Sequence, residues 1–260
     1  KDLILMMKIK VKKYKGGKML LIVCFLFAIS AFGQQVDMPM TERPPVIDGV
    51  ISENEWDGAY KIESNFMQIR PDFGSPMQDK TIVYSFYDAE NYYVLFEVKQ
   101  DTLTFTEVKG TRDNAYAQDA VGFVVDPLGN KKELYMIIVG LSGNIGDFRK
   151  LRSNLDGSED ITWDGNIDAS VMKTSDGYNV EMKIPFCTFR MGNSEDLVWN
   201  INFYRRIHSK GIQATYVGIE ELSNDAEFEA MFPVVMKGIK TKGKIEITPY
   251  GIFGATVDST

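Results

Sequence analysis

The sequence predicts an all-β chain folded as an antiparallel β-sandwich. Three observations predict it. From residue 80 onward, short runs of β-branched and aromatic residues recur at close intervals, turn-forming stretches separate them, and no long amphipathic helical stretch intervenes. A composition of 44% hydrophobic and 25% charged residues over 260 positions is that of one large globular domain or two small ones.

Taken in order, Thr81 to Tyr87 and Tyr92 to Val98 flank Asp88-Ala-Glu-Asn91 and read as a hairpin. Ala120 to Asp126 and Glu133 to Val139 flank Pro127-Leu-Gly-Asn-Lys131, a second turn composition. Further strands fit Gly146 to Lys150, Ile167 to Met172, Tyr178 to Ile184, Val198 to Arg205 and Ala214 to Ile219. Trp199 alternates with Ile201 and Phe203 and so faces the core, and Trp56 is expected to pack under the sandwich edge. Helix is confined to a turn over Asn54 to Tyr60, opened by Ser52 with Glu55 three residues later, and to a short turn after Pro185.

The N-terminus reads as a secretory signal peptide. Six lysines between Lys8 and Lys18 precede an uncharged apolar run over 19–32, shorter than the roughly 20 residues a spanning helix needs, and cleavage is expected after Gly33. Met7 directly precedes the basic stretch, so residues 1–6 read as upstream of the start. Cys24 lies inside the apolar run, where a lipid anchor is not expected. Residues 1–33 hold seven Lys and one Asp, so the remainder is six charges more negative than the −7 of the whole chain. Such an acidic surface disfavours nucleic acid as a partner. Of the two cysteines only Cys187 remains after cleavage, so no intrachain disulfide is available. The single histidine, His208, excludes a His-x-x-x-His zinc site and reads as a surface turn residue; no nucleophile elbow, phosphate loop or dinucleotide fingerprint is present. After Lys240 the pattern changes. Lys244 to Val257 alternates loosely, as either a last edge strand of the sandwich or the first strand of a membrane barrel.

Pro45-Val-Ile-Asp-Gly-Val-Ile-Ser-Glu-Asn-Glu-Trp56, Tyr84 to Val94, Arg112-Asp113 with Asp119 to Asp126, Trp163-Asp-Gly165, Glu181-Met-Lys-Ile-Pro-Phe186 and Trp199 to Arg205 follow one another in a recognisable order. In this order, over about 42 to 238, the chain resembles the family nine carbohydrate-binding modules. More closely, it resembles the N-terminal part of large Bacteroidetes cell-envelope proteins in which such a module precedes an outer-membrane-barrel-like domain. The resemblance implies a linker at 34–41, a carbohydrate-binding-module-like sandwich at 42–240 and the start of a truncated barrel-like domain at 241–260. It also implies an exported protein of the periplasm or outer membrane of a Gram-negative bacterium, binding a glycan without cleaving it in polysaccharide breakdown or uptake, with calcium holding loops. Two alternatives stand beside it: a structural sandwich attached to the barrel with no sugar affinity, and a hydrolase of glycosidic bonds, with catalysis placed in the portion beyond this chain.

Sugar recognition needs an aromatic face and planar polar groups in a partly open site. Trp163 lies in the polar, turn-rich stretch Gly157 to Gly165, and is the expected ligand-contacting aromatic. Arg112, Asp113, Tyr116 and Asp119 around the loop from Asp101 to Gln118, with Arg205, are the expected polar and aromatic partners. Calcium is expected on Asp156, Asp160 and Asp164. Asp164-x-Asn166-x-Asp168 imitates the opening of an EF-hand loop, but Ala169 stands where its glycine belongs and Ser175 where its glutamate belongs.

Overall fold

Hairpin turns are closed by aspartates at the strand ends. Asp88 Oδ1 accepts from the backbone N–H of Glu90 and of Asn91, both at 2.7 Å. Asp126, wholly buried, accepts from the N–H of Leu128 at 3.2 Å and of Lys131 at 2.7 Å, and from Asn200 Nδ2 at 3.1 Å. Each aspartate satisfies donors that the reversing chain would otherwise leave bare.

The computed structural model describes residues 35–239, except 155, 193–195 and 224. The expected signal peptide and barrel strand lie outside the described residues. The strands are β1 (Val36–Asp37), β2 (Tyr60–Ile62), β3 (Met67–Arg70), β4 (Thr81–Tyr87), β5 (Asn91–Lys99), β6 (Ala120–Asp126) and β7 (Glu133–Gly140). They continue with β8 (Ile145–Leu151), β9 (Glu159–Asp160), β10 (Asp168–Thr174), β11 (Gly177–Pro185), β12 (Asp196–Ile207), β13 (Ile212–Thr215) and β14 (Phe232–Lys237). A single helical turn, α1 (Ala226–Glu229), precedes β14.

Among the described residues the strands form two sheets. The larger runs β1-β14-β12-β6-β7-β8-β9, with β13 on the far half of β12 and β3 beyond it; the smaller runs β10-β11-β5-β4-β2. All pairs are antiparallel except β1 with β14, which makes Val36 and Asp37 an edge strand rather than linker. The inner faces meet in an aromatic core. Tyr92 lies 5.3 Å from Phe123 and 5.6 Å from Trp199 between ring centroids, and Phe96 lies 5.8 Å from Phe203. The β-sandwich and the core positions of Trp56 and Trp199 therefore stand as expected. Every residue of β6 is buried, as is every residue of β7 after Glu133. A strand buried at every position has both faces covered, so the outer face of the larger sheet also carries packing: Val124, Leu134, Met136, Ile138, Phe148 and Tyr204 meet Phe228 of α1 there.

The N-terminal motif is an anchor. Glu181, fully buried on β11, accepts from the N–H of Asp48 at 3.0 Å and Gly49 at 2.8 Å, and from Trp56 Nε1 at 2.9 Å. Gly49 has φ +83°, and a Cβ there would lie 2.8 Å from the Met172 nitrogen, so only glycine brings the loop this close. The helix expected over Asn54 to Tyr60 is a series of turns instead. Asn54 and Gly58 both adopt positive φ, which a right-handed helix cannot contain, and Trp56 is held flat on Phe86 at 4.7 Å. The turn after Pro185 forms over Phe186–Thr188. β13 ends at Thr215, short of the expected Ile219, because Asn202 draws the following chain across the outer face.

Candidate functional site

The six residues expected to contact ligand separate into three places. Trp163 is half-buried beside the core, 4.6 Å from Tyr135 and 6.0 Å from Phe189, and its ring lies near parallel to that of Phe189. Gly165 makes room for it, since a Cβ there would come 2.9 Å from the indole Cη2. Arg112 and Asp113 lie in the same neighbourhood. Asp119 and Arg205 lie elsewhere, with no exposed surface. Asp119 accepts from Gln100 Nε2 at 2.8 Å, Thr106 N at 3.1 Å and His208 N at 2.7 Å. Arg205 donates to Tyr178 Oη at 2.8 Å, to the Ala120 carbonyl at 3.1 Å and to Gln100 Oε1. These two charges are bridged through Gln100 inside the sandwich, where they pin loops and lie out of a ligand's reach. Tyr116 is on the outer face of the larger sheet, stacked 6.4 Å from Phe148.

The residues expected to hold calcium are likewise committed elsewhere. Asp156 accepts from Ser158 N at 3.0 Å; Asp160 accepts from the Thr162 hydroxyl at 2.6 Å and pairs with Arg149 at 2.8 Å. Asp164 instead joins Asp113 and Asp147, with carboxylate oxygens of all three within 4.8 Å of one another. A cation is already there. Arg112 Nη2 lies 2.7 Å from Asp147 Oδ2, and its Nε lies 2.7 Å from Asp164 Oδ1. Burial pushes the Asp147 carboxyl above its ordinary range, opposed by the Gly165 N–H at 2.6 Å and by Arg112. With a guanidinium supplying the positive charge and directional donors, the arrangement does not fit an added metal ion.

A pocket of about 410 Å³ opens on the outer face of the larger sheet. Its floor follows from strand register. Asn202, Tyr204 and Arg206 of β12 lie opposite Val124, Gly122 and Ala120 of β6, and Val124 and Met136 pair in turn toward Phe148. Cross-strand partners point to one face. On the far side of β12, Tyr204 pairs with Thr215 and Arg206 with Gln213, and Gln213 pairs with Arg70. The wall is residues 216–223 with 225–230. Asn202 clamps it, donating to the carbonyls of Val217 at 2.9 Å and Ala230 at 2.6 Å and accepting from Val217 N at 2.9 Å. Lys150 holds Glu227 at 2.9 Å from the other side.

Among the described residues nine buried side-chain polar atoms have no partner, and three of them, Tyr116 Oη, Arg206 Nε and Thr215 Oγ1, belong to this lining. Buried polar groups are almost always satisfied, and here three lie together at a partly open pocket where a polar occupant can reach them. Glu159 also lines the pocket, its carboxyl raised by burial and by nearby Glu227. A wider hollow on the other side of 216–230 offers less, because its Arg152 is already paired with Glu229 and Asp225. The parity of β12 could have exposed the pocket from sequence. With Trp199, Ile201 and Phe203 inward, Asn202, Tyr204 and Arg206 must face outward.

Residues 47–229 match the family described as carbohydrate family 9 binding domain-like. The chain belongs to this family. Among solved structures, the sandwich is similar to a family 9 carbohydrate-binding module from Caldicellulosiruptor kristjanssonii in complex with cellotriose. Identity is 15%, coverage is 83% of this chain and 100% of that one, and the TM-score is 0.54. The same module in complex with glucose matches at 15% identity and a TM-score of 0.53, with the same coverage. A candidate carbohydrate-binding protein from Bacteroides uniformis matches at 11% identity and a TM-score of 0.54, over 76% of this chain and 99% of that one. At these identities the likeness is one of fold. Comparison with curated protein sequences finds no significant match.

Proposed function

We propose that this family 9-like domain binds a glycan without cleaving it, and does so in the pocket on the outer face of the larger sheet. The observation that carries this reading is the convergence of three unpartnered buried polar atoms, Tyr116 Oη, Arg206 Nε and Thr215 Oγ1, on one partly open pocket. Phe148, Tyr204 and Val124 give it an apolar floor. Sugars present this combination, an apolar ring face edged by hydroxyls that both donate and accept. The pocket volume of about 410 Å³ is within the range of about 300–1,000 Å³ common to small-ligand sites. Family membership and the cellotriose- and glucose-bound relatives support the ligand class. In the proposed setting the domain is exported to the periplasm or outer membrane and serves polysaccharide breakdown or uptake beside a barrel-like domain.

The test is calorimetric titration of the full chain against neutral and acidic mono- and oligosaccharides. Tyr116→Phe deletes only the unpartnered hydroxyl, and is expected to weaken binding roughly tenfold, the worth of one good hydrogen bond to a ligand. A folded chain that gives no saturable heat with any sugar refutes the reading.

A further inference from the structure

We infer that the pocket is built for a glycan carrying an anionic group, a carboxylate or a sulfate ester, held between Arg70 and Arg206. The inference rests on the glycan reading above and adds the ligand's charge to it. Arg206 on β12, Gln213 on β13 and Arg70 on β3 are direct cross-strand partners in one row, and all three line the pocket. Two strand spacings put the backbones of the two arginines about 10 Å apart, a gap that two long side chains reaching inward can close on one small anion. The register shifts between Gln213 and Ala214, so Ile69 and Arg70 both reach the pocket, as the extra residue of a bulge allows.

Neither arginine is neutralised. Among the described residues no carboxylate lies within ion-pair distance of Arg70 or Arg206, whereas Arg112, Arg149 and Arg152 each have one. The side chain of Arg206 meets His208 Nδ1 at 3.5 Å, and its Nε is buried without a partner. Arg206 is half-buried beside Tyr204 with its Nε free, and Arg70 is exposed at the mouth of the pocket; guanidinium donors so placed suit a planar or tetrahedral oxyanion, which accepts from two nitrogens at once. Gln213, between the two, adds an amide for a neighbouring hydroxyl. The acidic members of the lining do not cancel this end. Glu159 sits on β9, four strands from β12, and Glu227 is paired with Lys150 beside it. The pocket is therefore polar along its length, with cations at the β3–β13 end and carboxylates at the other, and it orients an anionic sugar as well as holding it.

The test compares a galacturonate trimer, a sulfated disaccharide and a galactose trimer by titration calorimetry on the full chain at low and at 0.5 M salt. One of the acidic ligands is expected to bind at least about tenfold tighter than the neutral trimer at low salt, and the margin should shrink at high salt. Which acidic ligand wins identifies the anionic group. Arg206→Gln and Arg70→Gln should each remove most of the margin, lowering the affinity for the acidic ligand by a larger factor than that for the neutral trimer. Arg206→Lys should keep part of it, with circular dichroism confirming the fold of every variant. Equal binding of neutral and acidic sugars, with no margin for the arginine variants to change, overturns the inference and leaves glycan binding standing. Silence toward all three ligands and toward a wider neutral panel, from folded protein, overturns both.

Discussion

Asn202→Ala should loosen the wall of the pocket more than it disturbs the sandwich. The asparagine is 4% exposed and makes three bonds to the covering segment, two to Val217 and one to Ala230. Each is worth about 1 kcal/mol net, and each partner left buried without water costs a further ~1–3 kcal/mol. The full penalty is not reached, because the segment can open and hydrate the abandoned groups. Lys150 to Glu227 and Arg152 to Glu229 still tether it. The expected loss is about 3 kcal/mol, or roughly 6–12 °C in Tm for a domain of this size. Urea denaturation followed by far-UV circular dichroism measures the loss. Backbone hydrogen exchange locates it: amides of residues 216–230 should exchange faster, while those of β5 and β11 on the opposite sheet keep their protection. Ligand affinity should fall with the loss of the wall. Asn202→Asp sharpens the test, since it keeps the acceptor for Val217 N–H but turns a carboxylate oxygen toward two carbonyls; it should be at least as damaging. A loss below about 1 kcal/mol with unchanged exchange over 216–230 would refute the clamp.

Three other outcomes are expected. Gly49→Ala should cost about 2–4 kcal/mol in denaturant titration, because it combines a left-handed φ of +83° with a Cβ placed 2.8 Å from the Met172 nitrogen. Chelator should leave the wild-type melting temperature unmoved, whereas Arg112→Ala, which strips the counter-charge from Asp147 and Asp164, should lower stability by about 1–2 kcal/mol, a figure held down by the 38% exposure of the arginine. Glu159 binds its proton more tightly folded than unfolded, because burial and Glu227 raise its carboxyl. Its charged form therefore costs stability, and its contribution should improve as pH falls from 7 toward the ordinary glutamate range; Glu159→Gln should remove that slope and raise Tm at pH 7 by no more than a few degrees.

The two consecutive arginines of β12 show what was legible in the sequence and what was not. Strands β4 to β8 and β10 to β12 announce themselves through β-branched and aromatic runs bounded by Asp, Asn and Gly, and the structure places them within a residue or two of expectation. β2, β3, β14 and α1 do not, being short and held mainly by partners distant in sequence. Parity along β12 was readable as well. Placing Trp199, Ile201 and Phe203 inward also places Arg205 inward, where it bonds Tyr178 and Gln100, and leaves Arg206 for the pocket. A buried arginine is rare enough that residue type argues for exposure, and the expectation for Arg205 followed type rather than parity. Tyr116 is an expected site residue from the sequence, but Phe148, Glu159 and Gln213, which line the same pocket, come from three separate strands. Only register brings these together, and register depends on turns and a bulge between Gln213 and Ala214 that no local composition reveals.

The residues by which this chain resembles its family are mostly scaffold. Asp48, Gly49 and Trp56 close on Glu181; Asp126 caps a hairpin; Asp119 and Arg205 join the two sheets through Gln100; Asn202 fastens the covering segment. Each role depends on a buried polar group meeting a particular partner, which ties these positions to the fold of this sandwich. Arg70, Tyr116 and Gln213 lie outside that scaffold, and Arg206 lies just beyond the last motif. Likeness to a cellotriose-bound module therefore carries the sandwich across to this chain but not the sugar, and the row Arg206–Gln213–Arg70 has to be read on its own chemistry, on which the proposal of an anionic ligand rests.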